Sequence, residues 1–387
     1  MIEAAQRLQT VEEYYFSKKL REVRLLQANG KPIINLGIGS PDLQPQNKVI
    51  TALNDSFKDV EANQYQSYQG LPELRKAMTD FYSYHYHVDL NSANEVLPLM
   101  GSKEGIMHIS MAFLNPGDQV LIPNPGYPTY LSVSRLVGAE PVFYSLSEDA
   151  NWLPDLEALE EQDLTKVKLM WINYPHMPTG AVATEAFFIK LVAIAKKHRI
   201  LIVNDNPYGF ILNDSPISIL SIPGAKDVCM ELNSLSKTFN MSGWRVGMAL
   251  GNPDYINHVL KIKSNMDSGM LYGIQKGAIE ALNCSELWYE NLNNTYKERR
   301  KLIWQLADSL NCIYDKNATG LFVWAKIPAN QTSEAFIDLL LKKKNIFIAP
   351  GTVFGSQGEG YVRFSLCSTT EVIEEAISRV KLLSAVL

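Results

Sequence analysis

Residues 234–247 carry the densest chemical pattern of the chain and read Ser234-Leu235-Ser236-Lys237-Thr238-Phe239-Asn240-Met241-Ser242-Gly243-Trp244-Arg245-Val246-Gly247. They follow the apolar run 228–232, which is typical of a buried strand, so they begin near that strand's C-terminal end. Serine hydroxyls together with a guanidinium can bind a phosphate dianion, and a lysine beside them can attack a carbonyl once it is deprotonated. The alternative interpretation is a surface loop with an ordinary solvated lysine, and spacing alone does not separate the two.

Earlier parts of the chain alternate between strand and helix patterns. Short apolar runs rich in β-branched residues predict buried strands at 96–100, 119–122, 167–173 and 200–204. Helical spacing of apolar residues predicts a helix over 184–198 behind a Thr184 N-cap, and another after Gly70 with Pro72 in its first turn. This alternation predicts an open α/β sheet whose ligands gather at the strand C-termini.

The last hundred residues have a different pattern. Strands are predicted at 321–326, 346–348 and 361–366, with a helix over 333–344 between the first two. A closing helix follows Ser368, whose spacing to Glu371 predicts a capping box. An amphipathic stretch near the N-terminus, residues 14–27, is expected to pack against this α+β module. We therefore predict a large domain over 46–284 and a small domain built from 1–45 and 285–387.

Composition excludes several classes of protein. The chain has 387 residues, of which 46% are apolar and 20% charged, so it can bury the core of one or two domains. Its 36 basic and 41 acidic side chains are mixed without a basic stripe, which argues against a nucleic-acid partner. No apolar run approaches the ~18 residues of a membrane span, and the N-terminus lacks the order of a signal peptide. The four cysteines lie far apart and fit no zinc spacing, so we expect no metal site and a cytoplasmic location.

Two further groups of residues follow predicted strands. Asp205 ends one strand and Tyr208 comes three residues later; a buried carboxylate is costly unless it meets a cation, such as a protonated pyridine nitrogen. An ordinary capping or loop aspartate is the alternative. Residues 101–105, Gly-Ser-Lys-Glu-Gly, open a predicted helix whose N-terminal amides would attract phosphate, a weak signal by itself. Neither GxxxxGK[ST] nor GxGxxG occurs, which argues against a nucleotide-binding dehydrogenase.

Taken in chain order, the motifs resemble those of the fold-type-I, pyridoxal-phosphate-dependent aminotransferases of class I and II. The resemblance runs over about residues 34–365, and each motif alone is weak or moderate. The motifs are residues 35–42, Tyr65 with 70–75, 101–105, 123–130, 178–180, Asp205 with Tyr208, 234–247 and Arg363. The wording of 101–106 and 236–245 is most similar to the branch that contains LL-diaminopimelate and alanine/aspartate aminotransferases.

The resemblance implies a fold and an activity. The fold would be a three-layer α/β/α large domain with a mostly parallel sheet, plus a smaller α+β domain from both chain ends. The activity would be transfer of an amino group between an L-amino acid and a 2-oxo acid, expected to be 2-oxoglutarate, by a ping-pong mechanism through a Lys237 aldimine. The resemblance also implies a homodimer with shared active sites, whose partners are small molecules and neither nucleic acid nor membrane.

The same resemblance implies roles for single residues. Lys237 would hold pyridoxal phosphate and act as general base and acid, while Asp205 keeps the pyridine nitrogen protonated and Tyr208 bonds the ring oxygen. The remaining cofactor contacts would be a ring stack by Tyr127 and phosphate binding by Ser102, Lys103 (through its backbone N–H), Ser234, Ser236, Arg245 and, from the neighbouring subunit, Tyr65.

Substrate binding is assigned to two residues. Arg363 would hold the substrate α-carboxylate in a bidentate pair, assisted by the backbone at Gly39. The alternative for Arg363 is a charge at the edge of a strand. The amino donor is not revealed by the sequence; an acidic substrate would need a second cation, for which His85, His87, Lys103 and Arg21 are candidates.

One position departs from the family pattern. Family members carry Asn immediately before Pro-Thr-Gly, where this chain has Met177 preceded by His176. A thioether cannot donate a hydrogen bond, so either Tyr208 alone bonds the ring oxygen, or His176 replaces the missing amide. Asn173 lies four residues too early to be carried over as that amide.

Other activities stay open on this scaffold. A C–S β-lyase would use the same cofactor and the same early steps, and racemisation and cyclisation begin in the same way. From a different class, the chain could be a non-catalytic sensor that keeps the cofactor pocket. The presence of Lys237 and the absence of a DNA-binding appendage favour the enzyme.

Overall fold

A computed structural model describes residues 2–384 of the chain, so residues 1 and 385–387 of the predicted small domain lie outside the described residues. The strands are β1 (Ile34–Asn35), β2 (Val96–Leu99), β3 (Gln119–Asn124), β4 (Glu140–Ser145), β5 (Val167–Ile172), β6 (Leu201–Asp205), β7 (Cys229–Ser234), β8 (Gly247–Gly251), β9 (Ile313–Tyr314), β10 (Phe322–Lys326), β11 (Ile346–Phe347), β12 (Ala349–Pro350) and β13 (Tyr361–Ser365). The α-helices are α1 (Tyr15–Ala28), α2 (Asn47–Ser56), α3 (Pro72–Tyr86), α4 (Ser102–Phe113), α5 (Pro128–Leu136), α6 (Leu156–Glu160), α7 (Glu185–His198), α8 (Leu235–Thr238), α9 (Pro253–Lys263), α10 (Tyr272–Leu282), α11 (Glu286–Ser309), α12 (Ser333–Lys344) and α13 (Thr370–Ser384). Short 3-10 helices occupy Gln6–Thr10, Val60–Asn63, Ile219–Ser221, Ala225–Asp227, Gly351–Phe354 and Ser356–Gly358.

The central sheet has seven strands in the order β4-β3-β5-β6-β7-β8-β2. Within the described residues, β8 alone runs antiparallel to its neighbours, so the prediction of a mostly parallel sheet is confirmed. All five predicted runs form strands of this sheet, with ends that differ from prediction by at most two residues. Strands β4 and β8 were not predicted.

Strand β8 runs antiparallel to β7, and the two strands form a hairpin. Ser234 at the end of β7 pairs with Gly247 at the start of β8, so residues 235–246 form the loop of a hairpin. A parallel neighbour would need a crossover, usually a full helix, to return the chain to the other end of the sheet. The hairpin loop therefore stays at the edge where β5 and β6 also end, and it carries Lys237 and Arg245.

A second, antiparallel sheet of order β12-β13-β10-β9 forms the other part of the molecule. The two-stranded parallel pair β1–β11 joins the N-terminal segment to this part, since Ile34 pairs with Ile346. Phe16 of α1 lies in the same hydrophobic cluster as Phe322 and Phe364, as the amphipathic N-terminal stretch predicted. This cluster packs the sheet against α11 and α13, whose buried residues include Ile303 and Ile373.

Two predicted helix caps have different outcomes. Thr184 caps α7 as predicted, because its hydroxyl accepts from the Phe187 amide at 3.2 Å. The capping box at Ser368 is wrong by one residue: the Val372 amide donates to the Thr369 hydroxyl at 3.5 Å, and α13 begins at Thr370. The Ser368 hydroxyl instead donates to the Asn35 carbonyl, which ties the helix approach to β1.

Two properties bear on the predicted compartment. Among residues 2–384 no helix combines the length and the apolar character that crossing a membrane requires. All four cysteines are free thiols. The cytoplasmic location stays a prediction.

Candidate active site

A cavity of about 700 Å³ opens at the edge of the central sheet where β5, β6 and β7 end. It also reaches the second sheet, whose Phe322 and Arg363 form part of its wall. Eleven of the twelve predicted site residues line it: Gly39, Ser102, Lys103, Tyr127, Asp205, Tyr208, Ser234, Ser236, Lys237, Arg245 and Arg363. The motifs that are far apart in sequence therefore meet in one place.

Lys237 presents its amine to this cavity. Its Nζ donates to the Gly39 carbonyl at 2.6 Å, which fixes the side chain across the gap between the hairpin and the N-terminal segment. Desolvation lowers the pKa of Lys237 to about 8, and the nearby guanidinium groups of Arg363 and Arg245 act in the same direction. Far more of the amine is therefore uncharged near neutral pH than for an ordinary solvated lysine, as a nucleophile or a general base requires.

Asp205 offers one carboxylate oxygen to the cavity. The residue is only 5% exposed; its Oδ2 accepts from the Tyr130 hydroxyl at 3.0 Å, while its buried Oδ1 has no partner within the described structure. Burial raises the pKa of Asp205 to about 7. An unpaired buried oxygen needs a donor, so the position fits the protonated ring nitrogen of a pyridine cofactor.

Tyr130 is a site residue that the sequence analysis missed. Besides donating to Asp205, its ring stacks on Trp171 at 5.1 Å with an interplanar angle of 4°, and lies edge-on to Tyr127 at 5.6 Å. It belongs to the 123–130 motif, where only Tyr127 was given a role. The motif therefore contained Tyr130, but the sequence does not show that this residue contacts Asp205.

A phosphate-sized group of donors surrounds the start of α4. The Ser234 hydroxyl donates to the Ser236 hydroxyl at 2.8 Å, and Arg245 is held by the Ser242 carbonyl, to which its Nη1 donates at 2.8 Å. Gly101 precedes the helix with φ +89°, and a Cβ there would lie 2.1 Å from Arg245 Nη2. Hydroxyls, a guanidinium and free helix amides form a cradle that fits a dianion.

Arg363 is buried and has no acidic partner among residues 2–384. It is 5% exposed, and its guanidinium carbon lies 3.9 Å from the ring centre of Phe322 and 4.7 Å from that of Phe354. Its Nη2 donates to the Gly37 carbonyl at 2.7 Å, and its Nε has no partner in the described residues. Burial lowers the pKa of Arg363 to about 10. A buried cation of this kind fits a substrate carboxylate, and its burial removes the alternative of a solvated charge at a strand edge.

Two aromatic side chains complete the walls. Tyr208 is buried, its ring meets Phe322 edge-on at 5.9 Å, and burial raises the pKa of its hydroxyl above the usual value. Tyr127 lines the cavity beside Tyr130, and burial raises its pKa as well. Both hydroxyls therefore stay protonated at neutral pH and can act as hydrogen-bond donors.

Comparison with known proteins identifies the family. Residues 31–380 match the family model for aminotransferase class I and II. The chain belongs to the class I and II aminotransferases. It is 42% identical over 379 residues to an LL-diaminopimelate aminotransferase of Maridesulfovibrio salexigens, which covers 97% of this chain and 98% of that protein. The corresponding enzyme of Aquifex aeolicus is 40% identical over 383 residues, 98% of this chain and 99% of its own.

Solved structures agree with the assignment of this chain to the aminotransferase family. Substrate-bound BacF from Bacillus subtilis is similar with a TM-score of 0.95 and 36% identity, covering 99% of this chain and 98% of its own. An aminotransferase from Staphylococcus aureus is similar with a TM-score of 0.90 and 33% identity, covering 99% of each chain. The predicted resemblance to fold-type-I aminotransferases of the LL-diaminopimelate branch is therefore confirmed.

This aminotransferase departs from the family pattern at Met177, and the structure shows what lies there. The Met177 sulfur is 3.2 Å from Arg363 Nη1, so a weak acceptor occupies the place of the family amide. The His176 ring lies outside the cavity, where its Nδ1 contacts the Thr179 hydroxyl at 2.8 Å, and burial lowers its pKa to about 3. Asn173 does line the cavity, but its amide bonds the Asp205 carbonyl and the Met177 backbone N–H. This arrangement favours the hypothesis in which Tyr208 alone bonds the ring oxygen.

Tyr65 is the one predicted site residue of this aminotransferase that the cavity does not include. It is 91% exposed and borders a surface groove with Gln66, Ser67 and Tyr68. A role within its own subunit is therefore excluded by position. A role in a neighbouring subunit, which the resemblance implied, stays a prediction.

The candidates for a second cation separate into two pairs. Lys103 and Arg21 line the cavity. His85 packs among aromatic rings 4.6 Å from Phe81, and His87 ends α3 in a left-handed conformation with φ 55°; neither lines the cavity.

A group of possible metal ligands lies outside the cavity wall. Glu104, His108 and Asp267 each place one ligand atom within 4.8 Å of the others. The buried ammonium group of Lys263 donates to Asp267 at 2.7 Å, and His108 contacts Glu104 at 2.8 Å. Because Lys263 already supplies the positive charge, these contacts account for the group as an ion-pair network.

Proposed function

We propose that this aminotransferase uses pyridoxal phosphate to transfer an amino group between LL-diaminopimelate and a 2-oxo acid, with 2-oxoglutarate as the expected acceptor. The observation that carries the proposal is the cavity in which the Lys237 amine, the unpaired oxygen of Asp205 and the Arg245 cradle converge. The choice of LL-diaminopimelate rests on the names of the relatives, which match nearly the whole chain. The two substrates would react in turn, in a ping-pong order.

The residues present fit pyridoxal phosphate at each of its polar groups. Asp205 would accept from the ring nitrogen, Tyr208 would donate to the ring oxygen, and Tyr127 would cover one ring face. The phosphate would be held by the hydroxyls of Ser102, Ser234 and Ser236, the Lys103 amide and Arg245. When bound, the cofactor supplies an electron sink for the negative charge that forms at the substrate Cα.

The chain's own groups would orient the substrate and move its proton. Arg363 would bind the α-carboxylate with two parallel hydrogen bonds and so place the Cα hydrogen near Lys237. Lys237 Nζ would take that proton and later return it, a task for which a pKa near 8 is suited. The rings of Phe322 and Phe354 exclude water from the guanidinium, which strengthens its attraction for a carboxylate.

A half-reaction experiment tests this proposal. The enzyme loaded with pyridoxal phosphate is mixed with one amino acid at a time, without a 2-oxo acid, and the visible absorbance of the cofactor is followed. We expect one loss of absorbance per site with LL-diaminopimelate, restoration by 2-oxoglutarate, and, in Lys237→Ala, loss of the absorbance band of the lysine-linked cofactor. Continuous release of pyruvate and ammonia from cystathionine or cysteine would instead identify a C–S β-lyase. A spectrum that no amino acid changes would identify a binding protein without catalysis.

The proposal includes a homodimer in which Tyr65 reaches the phosphate of the neighbouring site. A tyrosine that is 91% exposed next to the half-exposed Tyr68 supports a surface that a second copy covers. Mixing Lys237→Ala with Tyr65→Ala protein tests it, because a mixed dimer contains one site with both residues intact. Random exchange should restore about a quarter of the wild-type activity. A mixture no more active than its separate components contradicts the shared site.

The two-domain division, 46–284 against 1–45 with 285–387, is part of the proposal. It is supported by separate hydrophobic clusters, one around Leu74 and Phe188 beside the central sheet and one around Phe322 and Ile373 beside the second sheet. Hydrogen exchange should show two groups of amides with different opening free energies. A single uniform group would contradict the division.

A further inference from the structure

The charges on the cavity wall do not balance. Six cationic side chains line it against the single carboxylate of Asp205; the cations are Arg21, Arg24, Lys103, Lys237, Arg245 and Arg363. The proposed function gives a partner to three of the cations. Lys237 would bond the cofactor carbonyl, Arg245 the phosphate and Arg363 the substrate α-carboxylate. The side chains of Arg21, Arg24 and Lys103 have no role in that function, so three cations of the wall are left for a further ligand.

Helix α1 supplies two of these three cations on one face. Ser17, Leu20, Arg21 and Arg24 line the cavity at the spacing of neighbours on a helix surface. The helix starts beside the α-carboxylate site, because the Phe16 ring centre lies 5.4 Å from the guanidinium carbon of Arg363. At a rise of about 1.5 Å per residue, Arg24 is roughly 12 Å further along the helix axis than Phe16. The cavity-lining face therefore runs from the Arg363 end of the helix to Arg24, within the same cavity.

The three extra cations differ in how far the protein already neutralises them. Glu13 holds Arg21 in a bidentate pair, with N–O distances of 2.5 and 2.6 Å. The Lys103 ammonium lies 4.7 Å from the centre of the Tyr14 ring, and partial desolvation lowers its pKa. Arg24 has no acidic partner within residues 2–384. The acidic residue of the same helix that is nearest to it in sequence, Glu22, pairs with Lys19 instead. Arg24 is thus the cation of α1 that the protein leaves unpaired at the cavity.

We infer that Arg24 binds the second carboxylate of a dicarboxylic substrate and determines the preference of the enzyme for such substrates. This inference rests on the proposed function and adds the residue that distinguishes substrates with two carboxylates from those with one. Arg363 and Arg24 would hold the two ends of the substrate, and Lys103 would add positive charge between them. The alternative is that Arg24 is an ordinary solvated surface charge.

Two matched pairs of substrates isolate the second carboxylate. L-Lysine is LL-diaminopimelate with the distal carboxylate replaced by hydrogen, and 2-oxobutanoate is related to 2-oxoglutarate in the same way. For Arg24→Gln we expect kcat/KM to fall about tenfold for the two dicarboxylates, the effect of losing one charge-assisted hydrogen bond. The values for L-lysine and 2-oxobutanoate should change less than about twofold, because those substrates do not reach Arg24 with a charge.

Two control variants separate charge from structure. Lys18→Gln removes a positive charge from the same helix at an exposed residue that does not line the cavity, and it should leave all four values unchanged. Arg24→Lys keeps the charge and should recover most of the preference for dicarboxylates. Equal losses for both members of a pair, or no loss at all, would overturn the role of Arg24. A wild-type enzyme that converts none of the four compounds would instead contradict the proposed function.

Discussion

The phosphate cradle can be tested at Gly101, the residue just before α4. A Cβ added at this position would lie 2.1 Å from Arg245 Nη2, far inside van der Waals contact. The guanidinium would have to leave its place, in which its Nη1 contacts the Ser236 hydroxyl at 3.5 Å and the Ser242 carbonyl at 2.8 Å. We therefore expect Gly101→Ala to weaken the binding of pyridoxal phosphate.

The size of this effect follows from two separate costs. An alanine at φ +89° stores backbone strain of about 1–3 kcal/mol, which lowers the free energy of unfolding. Displacement of Arg245 removes a charge-assisted hydrogen bond to the phosphate, of about 1.5–3 kcal/mol. The dissociation constant of the cofactor should therefore rise roughly 10–100-fold. The first cost acts on folding and the second on binding, so they can be measured apart.

The assay is a titration of cofactor-free enzyme with pyridoxal phosphate, followed by visible absorbance. Gly117→Ala is the matched control, since Gly117 has φ +88° and open space where its Cβ would be. Both variants should unfold at lower denaturant concentration, and Gly101→Ala alone should bind the cofactor more weakly. Placed in an Arg245→Ala background, Gly101→Ala should add little to the loss already present.

Two results would refute this reasoning. If the two alanine variants bind the cofactor with equal affinity, the clash at Gly101 has no consequence for the phosphate. If Gly101→Ala costs as much affinity without Arg245 as with it, the guanidinium is not the group through which the substitution acts.

Three further predictions concern other parts of the site. Because desolvation lowers the pKa of Lys237 to about 8, capture of pyridoxal phosphate by cofactor-free enzyme should accelerate through pH 8 in stopped-flow absorbance. Acceleration only near pH 10.5, where an ordinary lysine titrates, would contradict the assignment. Between these pH values the unfolded chain binds more protons at Lys237, so the unfolding free energy should rise with pH relative to that of Lys237→Met. Met177→Asn adds a hydrogen-bond donor beside the α-carboxylate site, so it should lower KM for amino acids about tenfold. The same variant should shift the spectral pH titration of the bound cofactor to lower pH, whereas His176→Ala should leave that titration unchanged. Asp42→Asn should lower the unfolding free energy by about 3 kcal/mol in urea denaturation, because it leaves Arg299, which is only 4% exposed, without its bidentate partner. A loss below about 0.5 kcal/mol would mean that the two residues act as a surface ion pair.

The meeting of the site residues could be predicted because most of them follow apolar runs. Ser102, Asp205 and Lys237 each come within a few residues of a strand end, and the carboxyl ends of parallel strands lie at one edge of a sheet. Arg363 is different, because it lies within β13 of the second sheet. Its place in the cavity was available only through the family resemblance.

The missed strands have sequences that do not resemble buried parallel strands. Strand β8 reads Gly-Met-Ala-Leu-Gly, which contains no β-branched residue, and its direction is imposed by the hairpin that precedes it. Strand β4 lies at the sheet edge and contains Pro141, which cannot donate to a ladder and weakens any prediction of a strand.

Contacts between side chains that are far apart in sequence could not be predicted either. Tyr130 donates to Asp205 across 75 positions of sequence, and neither residue's neighbours indicate the pairing. The amphipathic pattern of residues 14–27 predicted packing against the small domain, but a polar face carries no sign of whether it meets solvent or a cavity. Arg24 therefore became a candidate site residue only when the structure placed α1 along the cavity wall.

Helix α1 has a consequence for how this enzyme can be redesigned. In the proposed function the hairpin with Lys237 and Arg245 would bind the cofactor, so its geometry would have little freedom to change. Helix α1 lines the same cavity from a separate stretch of fourteen residues, and neither Asp205 nor Lys237 belongs to it. Libraries confined to Ser17, Leu20, Arg21 and Arg24 can therefore search for new substrates while the reactive centre stays intact, which makes this helix the natural place to begin.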